Sequence, residues 1–177
     1  MRNIFLIGYM GTGKTTIGKQ IAQSLGWEFV DMDLFIENRY RKAISTLFAE
    51  KGEDFFRKIE HTILQEVAQF ENTVIATGGG TPCFFDNMDR MNQAGITVYL
   101  KLPVSELVRR LRTCKQDRPL LKDKNGGELT NYIAGHLEDR ETWYNRAAIV
   151  FSAEQMHTRQ GIVTIAETLI KQINEKQ

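Results

Sequence analysis

Near its start, the chain carries a glycine-rich segment of the kind that binds phosphate. Residues 8–15 read GYMGTGKT and fit G-x-x-x-x-G-K-[ST], with an apolar run before them and a helical pattern after them. Glycines let the backbone N–H groups of such a loop turn toward phosphate oxygens, and the positive end of the following helix points at the same place. Lys14 would neutralise the β- and γ-phosphates, and the Thr15 hydroxyl would bind Mg²⁺. The segment predicts a nucleotide site rather than a plain glycine turn.

Two carboxylates, Asp31 and Asp33, directly follow the second apolar run of the chain. If the strand continues through them, its alternation places both side chains on one face. One would then hold Mg²⁺ through water, and the other would orient or deprotonate an acceptor hydroxyl. Aspartate also commonly caps a helix, and Asp33 stands just before a helical pattern. Beside a phosphate loop, we favour the functional interpretation.

An arginine and three consecutive glycines form the next candidates. Arg57 lies in GEDFFRKIE, where helical spacing pairs it with Glu53 or Glu60, and this arrangement by itself indicates a solvated helix face. Residues 78–80 are all glycine and follow a predicted strand. Three glycines weaken a strand, so they indicate a close approach of the backbone to another group. A flexible turn is the alternative.

A charged segment at about 113–128 interrupts the regular pattern. It contains Pro119 and a pair of glycines, and it predicts a mobile loop or lid. Arg118 in this segment would close over the phosphates and exclude water; a surface arginine on a disordered loop is the alternative. Arg140 lies between two acidic residues and is uninformative by itself.

The elements that must position these residues alternate between strand and helix. Such alternation predicts a parallel sheet covered by helices on both faces, with ligands gathered at the carboxyl ends of the strands. The phosphate loop, the acidic pair and the glycines follow the first three strands. The predicted strands are 3–7, 28–30, 73–76, 96–100 and 147–151. The predicted helices are 15–25, 33–41, 53–70, 85–93, 103–112, 129–144 and 161–173, with a short helical turn at 44–48.

Composition limits the class of protein. The chain has 177 residues, of which 42% are hydrophobic, and this predicts one domain, 1–177, with a sizeable core. Its 23 basic and 22 acidic residues argue against a nucleic-acid partner, and its two cysteines exclude a disulfide scaffold. No signal peptide or membrane span is apparent, so we expect a cytoplasmic protein without a membrane partner.

In order and spacing, these segments resemble the shikimate kinases, which are small nucleoside-monophosphate-kinase-like P-loop proteins. The resemblance extends from Asn3 to about Arg146. Beyond the phosphate loop it is carried by FVDMD, IxxxF with GExxFRxxE, GGG, RPLL and RxxxY, at 29–33, 44–60, 78–80, 118–121 and 140–144. It implies an α/β P-loop kinase fold, with a five-stranded parallel sheet in the order 2-3-1-4-5, flanking helices, a lid and a monomeric state.

The resemblance also implies an activity and a set of site residues. The family uses ATP and Mg²⁺ to phosphorylate the 3-hydroxyl of shikimate, on the route to aromatic amino acids. The implied catalytic residues are Lys14, Asp33 and Arg118. The implied ATP contacts are Gly11, Thr12, Gly13, Lys14, Thr15, Thr16 and Arg118. The implied shikimate contacts are Asp33, Arg57, Gly79, Gly80 and Arg140. Mg²⁺ would be held by Thr15, and by Asp31 through water.

Two other functions are compatible with parts of this pattern. A gluconate or nucleoside-monophosphate kinase would share the phosphate loop, but the combination of FRxxE, GGG and RPLL argues against it. A nucleotide-dependent switch without catalysis would have no need of Asp33, Arg57 and Arg140. The adenine contact stays open among three arginines and a loop, namely Arg109, Arg110, Arg112 and residues 152–158.

Overall fold

A parallel β-sheet organises the chain. The computed structural model describes residues 3–113, 126–154 and 158–176. Its sheet has five strands in the order β2-β3-β1-β4-β5, with every neighbouring pair parallel. This confirms the predicted fold class and strand order. The strands are β1 Asn3–Ile7, β2 Glu28–Asp31, β3 Thr73–Ala76, β4 Gly95–Lys101 and β5 Ile149–Ser152.

Helices connect the strands. Where a short turn and a separate helix were predicted, α3 runs as one element with a break at Gly52, whose φ of 79° and ψ of 174° are not helical. Helix α4 begins two residues later than predicted, because Phe85 has a φ of 52°. The helices are α1 Lys14–Leu25, α2 Met32–Tyr40, α3 Ile44–Val67, α4 Asn87–Ala94, α5 Val104–Thr113, α6 Gly126–Tyr144 and α7 Arg159–Asn174.

The core lies around the central strand. All five residues of β1 and all four of β3 are buried, as expected for strands covered on both faces. Asn3 is the polar exception in β1: its Nδ2 donates to the backbone oxygen of Phe70 at 2.5 Å, and its Oδ1 accepts from the Thr73 N–H at 3.2 Å. This side chain ties the start of β1 to the start of β3.

The sheet brings the predicted site segments to one edge. In the register of the three strands, Leu6 and Asp31 both pair with Ala76. The residues that follow β1, β2 and β3 therefore emerge side by side at the carboxyl edge, as predicted from the alternation. In the part of the chain that the structure describes, no helix combines the length and apolar character needed to cross a membrane.

Gly18 sets how closely helix α1 approaches the sheet. A Cβ at this position would lie 2.5 Å from Cε2 of Phe29 and 3.0 Å from Cδ1 of Leu6. Real Cβ atoms do not approach other atoms this closely, so a larger residue would push the helix away from β1 and β2. Because α1 begins at the end of the phosphate loop, its distance from the sheet also positions that loop.

We predict that Gly18→Ala destabilises the protein by about 1–3 kcal/mol, because overpacking outweighs the gain in helix propensity. Gly135→Ala is the matched control. Gly135 also lies inside a helix, but beyond its chain neighbours and its own helix backbone no atom of the described residues lies within 4 Å of its added Cβ, so this variant should gain about 0.5–1 kcal/mol. Urea unfolding measures both changes; equal stabilisation of the two variants would contradict the packing argument.

Candidate active site

The phosphate loop connects β1 to α1 through glycines in unusual backbone conformations. Gly8, Gly11 and Gly13 have φ values of 137°, 82° and 94°, which residues with a side chain rarely adopt. A Cβ at Gly8 would also lie 2.8 Å from the backbone oxygen of Leu100 in β4. These conformations allow the chain to turn sharply from the strand into the helix, so that the helix presents its N-terminal amides to the loop.

Lys14 lies across this loop. Its Nζ donates to the backbone oxygens of Gly8 at 2.8 Å and Tyr9 at 2.9 Å. The hydroxyl of Thr12 donates to the same Tyr9 oxygen at 2.9 Å, which closes the turn. The lysine charge is thus held beside the helix N-terminus, where the sequence predicts the phosphates.

Asp31 contacts both the phosphate loop and helix α2. Its Oδ2 accepts from the Thr15 hydroxyl at 2.7 Å, and its Oδ1 accepts from the N–H groups of Asp33 and Leu34 at 3.1 and 3.4 Å. The capping residue is therefore Asp31, and the suggestion that Asp33 caps the helix was wrong. The idea that strand alternation aligns the two carboxylates also fails, because the strand ends at Asp31 and the helix begins at Met32.

Hard oxygen atoms of Thr15 and Asp31 stand together at the edge of the loop, and Mg²⁺ prefers such donors. Among the described residues, no group of three or more His, Cys, Asp or Glu side chains could hold a metal ion. An ion bound here would thus need most of its ligands from water or from phosphate oxygens.

Asp33 lies in the first turn of α2, and its residue surface is partly exposed, whereas its carboxylate lies against the glycine segment: a Cβ at Gly78 would be 3.0 Å from its Oδ1. Loss of hydration, followed by the negative charges of Glu60 and Asp31, raises the pKa of Asp33 to about 6, and the Lys14 charge opposes this only in part. The carboxyl is therefore poised to titrate close to neutral pH. A group of this kind can accept a hydrogen bond or a proton from a hydroxyl.

Arg57 is buried, with 8% of its surface exposed, so the prediction of a solvated helix face was wrong. Both predicted partners are present: Nη1 donates to Oε2 of Glu60 at 2.5 Å, and Nη2 donates to Oε1 of Glu53 at 2.7 Å. The guanidinium carbon also lies 4.4 Å from the centre of the Phe84 ring. Carboxylates and an aromatic face therefore hold this buried charge in one orientation.

The three glycines at 78–80 lie at the centre of these groups. A Cβ at Gly78 would lie 2.6 Å from Oε1 of Glu60, and one at Gly80 would lie 2.4 Å from Nη1 of Arg57. The close approach predicted from the glycines is confirmed, and at these two positions the approaching groups belong to the protein itself. The backbone carries no side chains here, so charged groups can lie directly against it.

Arg140 reaches the same region from helix α6. It lies near Gly79, where an added Cβ would be 3.5 Å from Nη1 of Arg140 and 3.5 Å from the backbone nitrogen of Met10. The Tyr144 hydroxyl donates to the backbone oxygen of Gly79 at 2.5 Å. Helix α6 is thereby attached to the glycine segment, and Arg140 stands between that segment and the phosphate loop.

Sequence reasoning missed Tyr9. Its side chain is fully buried, its ring lies 5.6 Å from the guanidinium carbon of Arg140, and its hydroxyl is 3.4 Å from Nδ1 of His136. Tyr9 occupies a variable position of the phosphate-loop pattern, so only its aromatic character could have drawn attention to it.

Of the arginines considered for adenine, Arg110 contacts the phosphate loop. Its Nη1 donates to the backbone oxygen of Thr12 at 3.5 Å, and its Nη2 donates to that of Ala153 at 3.1 Å. Arg109 pairs with Glu106 on an exposed face of the same helix. Arg118 and most of the predicted lid, together with part of the 152–158 loop, lie outside the described residues. The adenine contact and the role of Arg118 stay predictions.

Comparisons with known proteins agree with this arrangement. A family model described as "Shikimate kinase" matches residues 10–174. The chain is 53% identical to the shikimate kinase of Parabacteroides distasonis over 171 residues, which cover 97% of this chain and 99% of that protein.

Solved structures give the same result. The crystal structure of the shikimate kinase from Bacteroides thetaiotaomicron has a TM-score of 0.95 and 46% identity, with 98% of each chain covered. The shikimate kinase from Acinetobacter baumannii, in complex with shikimate, has a TM-score of 0.88 and 31% identity, with 100% of this chain and 95% of that chain covered. The chain therefore belongs to the shikimate kinase family of P-loop phosphotransferases.

Proposed function

We propose that the chain transfers the γ-phosphoryl group of ATP to the 3-hydroxyl of shikimate. The observation that carries this proposal is the convergence at residues 78–80, where Arg57, Arg140 and Asp33 meet beside the phosphate loop. Two guanidinium groups suit a carboxylate, and an aspartate with a pKa of about 6 suits a hydroxyl. A small hydroxylated acid fits this combination better than a neutral sugar does. A related enzyme from Acinetobacter baumannii was solved with shikimate bound.

The Nε–Nη2 edge of the Arg57 guanidinium is the part that would bind the carboxylate of the substrate. Its Nη1 is held by Glu60, which is buried, whereas its Nε and Nη2 contact Glu53, whose side chain is 56% exposed. A substrate carboxylate can displace an exposed glutamate far more readily than a buried one, because the displaced group regains full hydration. The edge of Arg57 that now faces Glu53 is therefore the edge that would receive shikimate, with Arg140 as the second cation.

The phosphate loop holds the nucleotide in this proposal. Backbone N–H groups of residues 11–16 and the ammonium of Lys14 bind the phosphates, and Lys14 exchanges its contacts with the loop carbonyls for phosphate oxygens. The oxygen atoms of Thr15 and Asp31 would hold Mg²⁺, Asp31 through water, and the ion would supply neutralisation of charge on the phosphates. The family resemblance further supports a single monomeric kinase domain in the cytoplasm, with Arg118 as a phosphate contact.

Asp33 orients the acceptor hydroxyl toward the γ-phosphorus and accepts its proton. Phosphoryl transfer has a loose transition state, so correct placement of the attacking oxygen matters more than the strength of the base. Because the pKa of Asp33 is raised to about 6, the carboxylate can accept the proton during transfer and still release it to solvent afterwards at neutral pH.

The activity is tested by ADP release from ATP in the presence of shikimate, gluconate or a nucleoside monophosphate. We expect turnover with shikimate only, and loss of that turnover when EDTA removes Mg²⁺. In the NMR spectrum of the product, the phosphorus should couple to the proton on carbon 3. Turnover with another acceptor would contradict the substrate assignment. Tight ATP binding without turnover on any acceptor would indicate a nucleotide switch instead.

Asp33→Asn should lower kcat by about 10²–10⁴-fold, the usual contribution of a positioned acid or base. In the parent enzyme, kcat/KM should fall as the pH drops through about 6, because the protonated carboxyl no longer accepts the hydroxyl proton. The variant should lack this acidic limb. Its thermal midpoint above pH 7 should not fall, since the substitution removes repulsion from Glu60 and Asp31. An unchanged kcat would refute the role.

Arg140→Ala should raise KM for shikimate roughly 10- to 100-fold, which corresponds to the loss of hydrogen bonds between charged groups. KM for ATP should change little. Arg146→Ala is the matched control, because Arg146 is also near the end of α6 but pairs with Asp89 and lies over Trp143. Steady-state kinetics should show no change in KM for shikimate in the control. Equal effects of the two variants would argue against a carboxylate contact at Arg140.

A further inference from the structure

A chain of hydrogen bonds leads from Arg57 toward helix α4. Its first member is Glu60, which is 2% exposed and uses both carboxylate oxygens. Oε2 accepts from Nη1 of Arg57 at 2.5 Å, and Oε1 accepts from the hydroxyl of Thr81 at 2.6 Å. One buried carboxylate therefore joins Arg57 to Thr81, the residue that follows the three glycines.

Thr81 is itself held from both sides. It is completely buried and begins a short 3-10 turn, Thr81–Cys83, and its N–H donates to the backbone oxygen of Gly78 at 3.2 Å. Its carbonyl accepts from Nδ2 of Asn87 at 2.8 Å, and Asn87 is also fully buried, at the start of α4. The Oδ1 of Asn87 bonds Nδ1 of His61 at 2.7 Å, so this histidine nitrogen is the donor. The Thr81 hydroxyl is thus fixed opposite Glu60.

The Thr81 hydroxyl donates to one oxygen of the Glu60 carboxylate and Arg57 donates to the other. A buried carboxylate needs hydrogen-bond donors for its oxygens, and loss of one donor favours a different orientation of the group or its protonation. If Oε1 lost Thr81, Glu60 would rotate, and Nη1 of Arg57 would move with it. The Nε–Nη2 edge of Arg57, which belongs to the same rigid plane, would then turn away from its present position facing Glu53.

We propose that Thr81 is a positioning residue for the carboxylate of the substrate, acting through Glu60 on Arg57, and that Asn87 keeps Thr81 in place. This inference rests on the proposed function, in which Arg57 binds that carboxylate. Thr81 touches no substrate itself. It selects the orientation in which the planar guanidinium can receive a planar carboxylate.

Thr81→Val tests the inference, because valine keeps the shape of threonine and removes only the hydroxyl. We expect KM for shikimate to rise about tenfold, the effect of one hydrogen bond to a charged group, with KM for ATP unchanged. Thr81→Ser is the matched control and should restore the parent KM for shikimate, because it keeps the hydroxyl. If valine proves too disruptive for folding, Thr81→Ala supplies the comparison without a hydroxyl. An unchanged KM for shikimate would overturn the inference.

A double-mutant cycle separates positioning from a general loss of structure. In a Glu60→Gln background the group opposite Thr81 carries no charge, so Thr81→Val should raise KM for shikimate by much less than in the parent. A rise of the same size in both backgrounds would show that Thr81 does not act through Glu60. Equal rises in KM for shikimate and for ATP would indicate general structural damage, and would overturn the inference as well.

Arg57→Ala, measured in the same assay, distinguishes failure of this inference from failure of the proposed function. If KM for shikimate is unchanged in Arg57→Ala, Arg57 does not bind the carboxylate, and both assignments fall. If it rises in Arg57→Ala but not in Thr81→Val, the carboxylate site stands and only the positioning role of Thr81 is wrong.

Discussion

The lack of side chains at residues 78–80 is the constraint on which the site depends. A Cβ added at Gly78 would lie less than 3 Å from the Glu60 carboxylate, and a Cβ added at Gly80 would lie less than 3 Å from the Arg57 guanidinium. Any other residue at these two positions would force Glu60 and Arg57 away from the glycine segment. The sheet supplies the rest, because parallel strands deliver the segments after β1, β2 and β3 to a single edge.

Glu60 acts on two of the candidate site residues at once. Its carboxylate fixes the guanidinium of Arg57, and its negative charge contributes to the raised pKa of Asp33. A change at this buried residue would therefore alter both the placement of a cation and the titration of the carboxyl beside it. In the proposed function, the arginine that would bind the acceptor and the aspartate that would accept its proton therefore share Glu60 as an electrostatic partner.

The sequence supplied the architecture and the location of the site, whereas the details of packing were beyond it. The phosphate loop, the acidic pair and the glycines could be placed because each follows an apolar run, and the strand order came with the family resemblance. Helical spacing gave both partners of Arg57 but could not reveal its burial, which depends on Phe84 and Gly80, far along the chain. Whether Asp31 or Asp33 caps helix α2 depends on the residue at which β2 ends, and sequence patterns do not locate such a boundary to within one residue. Tyr9 and Thr81 occupy positions that no local pattern distinguishes.

The contacts of Lys14 with the carbonyls of Gly8 and Tyr9 bear on the thermodynamics of nucleotide recognition. Ordering a long, flexible side chain such as lysine costs about 1.5–2 kcal/mol in rotational freedom. Here that entropy is surrendered during folding, and part of the hydration shell of the ammonium is removed at the same time. A phosphate that replaces these carbonyls as the partner of Lys14 would meet a side chain that has already lost much of its freedom, so the ordering cost of binding is lowered while the two carbonyl contacts are given up in exchange.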